Sequence, residues 1–358
     1  MGRDILPPAH PSAPTTPGQS SRAGLFRDHG RMDRAVLDDA VRQADLDELL
    51  RLIDTCCGQR DWDALAALHA GCRRAHETGR QLWPAASHAA YRLALEAPAP
   101  HAAAVLIDGE GRFAPGPIAE VAAQSHTWRD LAPHVIAGTV AVLAAHERVV
   151  RGEDVGDDAP AGPAVLEVPW RLASFEPRYA LAEYHAHRAE FPAPEAPVLR
   201  PVVLQAPPAR EPADAVTTAL ADTTRIWTTE SNGRVETAAV NGDALAAIAA
   251  LGPRAARAAE IAPADALAHV AWAGASGGAH GRRRGAAAGR FSAWWLAGAL
   301  AHGLDDWPPD ETLLGRTVAR CRWHLWDAAE PSTGWRLQLA IEDPGAGRAW
   351  AVSAADAS

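Results

Sequence analysis

The chain contains no lysine; all 34 of its basic residues are arginine. That absence removes the phosphate-loop lysine, the Schiff base to a carbonyl or pyridoxal group, the kinase-type strand lysine and the Ser-x-x-Lys nucleophile. Alanine, arginine, glycine and proline abound, so the bias reads as GC-rich coding, with a surface selected against lysine-directed modification as the other reading. Cysteine is sparse as well. Four cysteines in 358 residues make no disulfide framework and point to a reducing compartment. The longest apolar run, 135–145, falls well short of the roughly 20 residues that span a bilayer. Residues 1–31 lack the apolar core of a secretory signal. A cytoplasmic chain that stays out of membranes is expected. Positive charge is in deficit too: the net charge of −10 disfavours nucleic acid as a partner, because neutralising phosphates needs a basic face.

What is present reads as an α+β protein. Residues 1–31 carry many prolines and few apolar anchors, and are expected to be disordered. Residues 32–150 read as an all-helical domain, either stacked helix pairs, solenoid-like, or an irregular bundle. Leu46, Leu49, Leu50 and Ile53 recur at helical spacing, as do Trp62, Leu65, Leu68 and Cys72. Asp61 and Thr127 sit where N-caps belong, each just before a tryptophan. The two capped segments, 66 residues apart, hint at an internal repeat. Residues 151–165 read as an exposed linker, and 166–358 as an α+β domain. In that domain Asn232-Gly233 is expected to turn a hairpin between strands 225–229 and 234–240. Strand-like stretches are also expected at 166–170, 179–187 and 198–205. Helices are expected at 243–250, 264–275 and 286–304. Alternating segments at 321–326, 335–341 and 349–352 predict a closing antiparallel β-meander.

The densest chemistry lies at 274–290, where six glycines and four arginines precede Trp294 and Trp295. Clustered guanidinium forks on pliable backbone suit a phosphate or carboxylate. In this reading Arg282, Arg283, Arg284 and Arg290 grip an anion, while Gly277, Gly278, Gly281 and Gly285 let backbone N–H groups approach. The next helix adds its positive end, and Trp294 and Trp295 supply an apolar wall. The competing reading is a solvated interhelical loop, with Arg290 paired to a carboxylate and one tryptophan in the core. The spacing matches neither a dinucleotide fingerprint nor a Walker loop.

Other constellations are weaker. Gly274-Ala-Ser276-Gly-Gly278 has the Gly-x-Ser-x-Gly form of a nucleophile elbow, yet it follows a helical segment where the elbow needs a strand. Cys56, Cys57, His69, Cys72 and His76 could be assembled around zinc, but the spacing is unlike that of zinc sites and the cysteines fit an apolar stripe. His185 and His187, with Glu183, read as a polar strand edge. No metal and no cofactor is expected. The charged stretch 146–154 reads as a solvated face. Thirteen tryptophans against five phenylalanines leave open whether some cluster on a binding surface.

Three stretches, 126–134 (HTWRDLAPH), 145–154 (AHERVVRGED) and 276–290 (SGGAHGRRRGAAAGR), together resemble an uncharacterised family from GC-rich bacteria. The resemblance implies a recurrent architecture from about residue 45 onward, and carries neither a reaction nor a catalytic residue. The sequence thus favours a cytoplasmic binding or interaction protein whose loop holds an anionic small molecule or the acidic face of a protein partner. The alternative is an enzyme acting on a phosphorylated or nucleotide-like small molecule, with His280, His324 or Glu176 as acid–base candidates. Nucleic-acid binding is the third reading.

Overall fold

A computed structural model describes residues 26–27 and 31–357, apart from 112, 163–164 and 331–332. The disorder expected over 1–31 therefore lies almost wholly outside the described residues. After two short paired strands, β1 (Phe26–Arg27) and β2 (Arg31–Met32), comes the helical half. It comprises α1 (Arg34–Gln43), α2 (Leu46–Gln59), α3 (Trp62–Glu77), α4 (Trp83–Glu96), α5 (Ala99–Ala104), α6 (Ile118–Ser125), α7 (Trp128–Leu131) and α8 (Thr139–Val150). Asp33, Asp45 and Asp61 each accept a first-turn amide proton, and Thr127 forms a capping box with Asp130. Both sequence-assigned caps hold, but α7 is a single turn whereas α3 runs sixteen residues. The two tryptophans do not mark equivalent repeats. The stripe of Leu49, Ile53, Cys56, Leu65, Leu68 and Cys72 is buried in one apolar core.

The expected linker at 151–165 is anchored to the helices. Val155 is buried, the Trp128 indole donates to the Asp158 carbonyl (2.7 Å), and the Glu153 carboxylate accepts from the Trp128 amide (3.0 Å). A carboxylate at that position satisfies orphan donors of α7, which only the fold reveals.

The second half begins with a hairpin, β3 (Glu183–His185) and β4 (Arg188–Glu190). There follow β5 (Arg200–Val202), α9 (Ala215–Thr223), α10 (Arg225–Thr229), β6 (Arg234–Asn241), α11 (Ala244–Ala250), β7 (Ala256–Ile261), α12 (Pro263–Ala275), α13 (Ala286–Leu300) and α14 (Glu311–Arg320). The meander β8 (Arg322–Asp327), β9 (Trp335–Asp343) and β10 (Arg348–Asp356) closes the chain. All neighbours in the six-stranded sheet, ordered β5-β7-β8-β9-β10-β6, run antiparallel.

Alternation along these strands sorts side chains by size. Trp323, Leu325, Leu337, Leu339, Ile341, Trp350 and Val352 face the core shared with α12 and α13, whereas Ala340, Ala349 and Ala351 face α11. Large residues fill one interlayer space, and on the other alanines leave room for α11, with Trp326 the one large strand side chain there. The edges are blunted: β5 is three residues long and contains Pro201, and the Glu211 amide donates to the Ala239 carbonyl on β6 (2.8 Å).

Two expectations fail in this half. Residues 225–229 form α10, so Asn232-Gly233 links a helix to a strand and not two strands. Trp227 is buried at helical pitch, and its carbonyl accepts from Gly233 N–H (2.8 Å), which closes the helix before a hairpin can start. Residues 166–170 form no strand; there Pro169 offers its carbonyl to Arg290. Conversely, the alanine-rich β7 carried no β signal and is recruited by pairing with β8.

Candidate functional site

The 274–290 segment links α12 to α13, and its backbone does bind carboxylates. Each belongs to the protein itself. Ala279 N–H donates to Asp356 (2.6 Å), Ala286 N–H to Glu120 (3.1 Å) and Ala287 N–H to Glu147 (2.8 Å). The last two sit at the positive end of α13. The tight path explains the glycines. Side chains at Gly277 or Gly281 would collide with loop backbone, and one at Gly278 with Asp356. Gly285 adopts φ +98°, and a Cβ there would lie 2.5 Å from Glu147 Oε1. Gly285→Ala should therefore destabilise the fold by about 2 kcal/mol or more, measured by urea unfolding.

The arginines divide into two pairs. Arg283 forks onto Glu120 through two 2.8 Å bonds and lies over the Phe191 ring at 4.8 Å. Arg290, with no exposed surface, donates twice to Glu176 (2.7 and 2.8 Å) and once each to the Pro169 and Arg171 carbonyls (2.8 Å). Both forks are consumed inside the protein, which corrects their assignment as ligand-gripping residues. Burial alone would raise the pKa of Glu120, but Arg283 beside it reverses that and holds the carboxyl below its ordinary range. Neighbouring Glu147 goes the other way. Burial first, then the charge on Glu120, lift it to about 7, with Arg151 partly opposing. The stretch at 146–154 is accordingly not a solvated face: His146 and Glu147 are buried, and His146 stacks on Trp170 at 4.0 Å. Burial and Arg290 lower the His146 imidazole to about 3.

Arg282 and Arg284 remain. Arg282 is exposed and lies 5.7 Å over Phe113, beside a cavity of about 360 Å³. Arg284 borders a separate cavity of about 320 Å³, lined by Arg225, Asp222, Thr223, Phe291, Ser292 and Trp295 among others. Arg225 forms an ion pair with Asp222. No carboxylate among the described residues comes within ion-pair distance of Arg284. Arg284 is exposed like Arg282; partial desolvation, and then Arg225, disfavour its charged form, with Glu230 opposing. Trp295 stands in a half-buried aromatic group with Phe291 (5.9 Å) and Trp307 (5.2 Å). Trp294 is wholly buried against Phe175 and serves the core, which corrects its place in the wall.

The remaining candidates do not converge here. His280 is exposed, His324 lies on β8 facing Ala340 across the sheet, and Glu176 is consumed by Arg290 and Tyr179. Ser276 caps α12, and its hydroxyl accepts from Gly278 N–H. Cys56, Cys57 and Cys72 are core thiols that burial pushes up to about 12, 12 and 11, while His69 bonds Glu110 (3.0 Å). Trp323, Trp326 and Trp350 are buried, while Trp335 is half-buried and stacks on Trp272 at 4.7 Å.

Arg225, Glu120 and Glu147 were missed. The two glutamates carried a signal, each being a lone acid within an apolar helical run, Ile118–Ser125 and Thr139–Val150. Arg225 carried none. Residues 47–358 match the model described as "Family of unknown function (DUF6183)", and the chain belongs to that family. No curated protein and no solved structure matches it.

Proposed function

We propose that this member of the DUF6183 family is a cytoplasmic binding protein for a small anion, seated between Arg284 and Arg225 against the Trp295–Phe291 wall. The observation that carries this reading is a charge imbalance. Two guanidiniums line one cavity whose single lining carboxylate, Asp222, Arg225 already holds, while Glu230 acts on Arg284 only from beyond ion-pair distance. A phosphate or carboxylate entering there relieves the like-charge repulsion and gives Arg284 the fork partner it lacks. Two aromatic rings beside those charges favour a ligand with a flat or apolar body. The cavity lies at the small end of the range for ligand sites, which sets the size class.

The test is isothermal titration and thermal unfolding with inorganic phosphate, phenyl phosphate and benzoate. A ligand at one hundred times its Kd should stabilise the wild type by about 2.7 kcal/mol. Phenyl phosphate should outbind phosphate and quench tryptophan fluorescence through Trp295. Arg284→Gln should abolish both effects without loss of stability, and Arg282→Gln should leave them intact. If no anion stabilises the wild type more than Arg284→Gln, the reading fails.

A further inference from the structure

Outside that cavity, the fold gathers three metal-ligating side chains from three elements. Asp54 stands on α2, His88 on α4, and His187 in the turn of the β3–β4 hairpin. One donor atom from each lies within 4.8 Å of the other two, and His187 Nε2 is 3.7 Å from Asp54 Oδ1. The imidazoles of His88 and His187 face one another at 22°, with centroids 6.0 Å apart. We propose that Asp54, His88 and His187 form a binding site for a divalent cation of the zinc class, which ties the hairpin to the helical layer.

The donor set fits that class. Two neutral imidazoles and one carboxylate are the ligand types of an open zinc site, with water at the fourth corner. Bonds of 2.0–2.1 Å to a tetrahedral ion place donors about 3.4 Å apart, so no pair need close by more than about 1.4 Å. Asp54 and His187 have the freedom to do so, their side chains being 48% and 66% exposed. The hairpin backbone is held in place. The Tyr91 hydroxyl donates to the His185 carbonyl (2.5 Å), while Gln124 bonds both the amide and the carbonyl of Tyr184 (2.7 and 2.9 Å). Arg92 donates to Asp54 (2.5 Å) and also to Glu96, so the guanidinium that orients the ligand carboxylate is itself neutralised. With the histidines neutral, Asp54, Glu96 and Arg92 leave one negative charge to meet a dication. His185 takes no part in the site. It turns to Glu190 (3.8 Å) and belongs to a separate group with Glu183 whose three members are all exposed.

Equilibrium dialysis of the EDTA-treated full chain against Zn²⁺, with Co²⁺ absorption as the spectroscopic probe, tests the site. One Zn²⁺ per chain is expected. Asp54→Asn, His88→Gln and His187→Gln should each weaken it at least about tenfold, and Zn²⁺ should raise the melting temperature of the wild type but not of His187→Gln. His185→Gln should bind as the wild type does. His187 occupies an exposed turn, so its variant keeps the fold whatever happens at the half-buried His88. Unchanged Zn²⁺ affinity in His187→Gln, loss in His185→Gln instead, or a thiolate-to-Co²⁺ absorption band would each overturn the proposal.

Discussion

Arg290→Ala should lower stability by about 3–5 kcal/mol, with a fall in melting temperature on the order of 10 °C. The guanidinium has no exposed surface and makes four hydrogen bonds, two of them to a Glu176 side chain that is only 1% exposed. Removing it strands a buried carboxylate and two backbone carbonyls in a medium that cannot solvate them. The double variant Arg290→Met/Glu176→Leu should recover much of the loss, because deleting both charges removes the desolvation cost that one charge alone incurs. Urea unfolding of wild type, both single variants and the double variant measures this. A loss below about 1 kcal/mol in Arg290→Ala would mean that water reaches the pair. The variant also separates architecture from ligand binding: Arg290→Ala should unfold more readily, whereas Arg284→Gln should keep its stability and lose the anion.

The second large effect is a pH dependence set by Glu147. Its carboxyl stands above the ordinary value of 4.5, at about 7, because burial and Glu120 both penalise its charge. Between those values the folded protein holds a proton that the unfolded chain has released, so stability falls as pH rises through this window. Below the window Glu147 imposes no such cost. The full penalty is about 3 kcal/mol by pH 8. Glu147→Gln keeps an acceptor for the Ala287 amide and carries no charge, so its stability should stay flat where the wild type declines. Glu120 has the opposite sign. Held below its ordinary range, it contributes stability above that range that is lost on acidification, outside the Glu147 window. Unfolding free energies at pH 5, 6, 7 and 8 decide the matter; parallel curves for wild type and Glu147→Gln would refute it.

Much of the fold was legible because its signals are local. Asp61 and Thr127 cap helices through residues three positions away, and the tail alternates because strand geometry does. The failures have a common cause. Arg234–Asn241 paired with residues 348–355 and not with the neighbouring 225–229, since a sheet joins strands from anywhere in the chain. The β7 strand was invisible because alanines acquire β structure only from their neighbours. In the candidate site the loop's affinity for carboxylates was readable, but not which carboxylates answer it. Glu120 lies 163 residues from Arg283, and Glu176 lies 114 from Arg290.

By itself the sequence determined the class: an α+β chain without lysine chemistry, with helix starts written by caps and a sheet written by alternation. Those features rest on interactions within a few residues, which composition and spacing encode directly. Only the tertiary structure decided which charges meet. Arg283 and Arg290 found partners in distant elements and became internal ties, while Arg284, one residue along from Arg283, was left on a cavity that Arg225 also lines. A buried ion pair depends on the dielectric and geometry that packing creates. No local pattern of arginines contains that information.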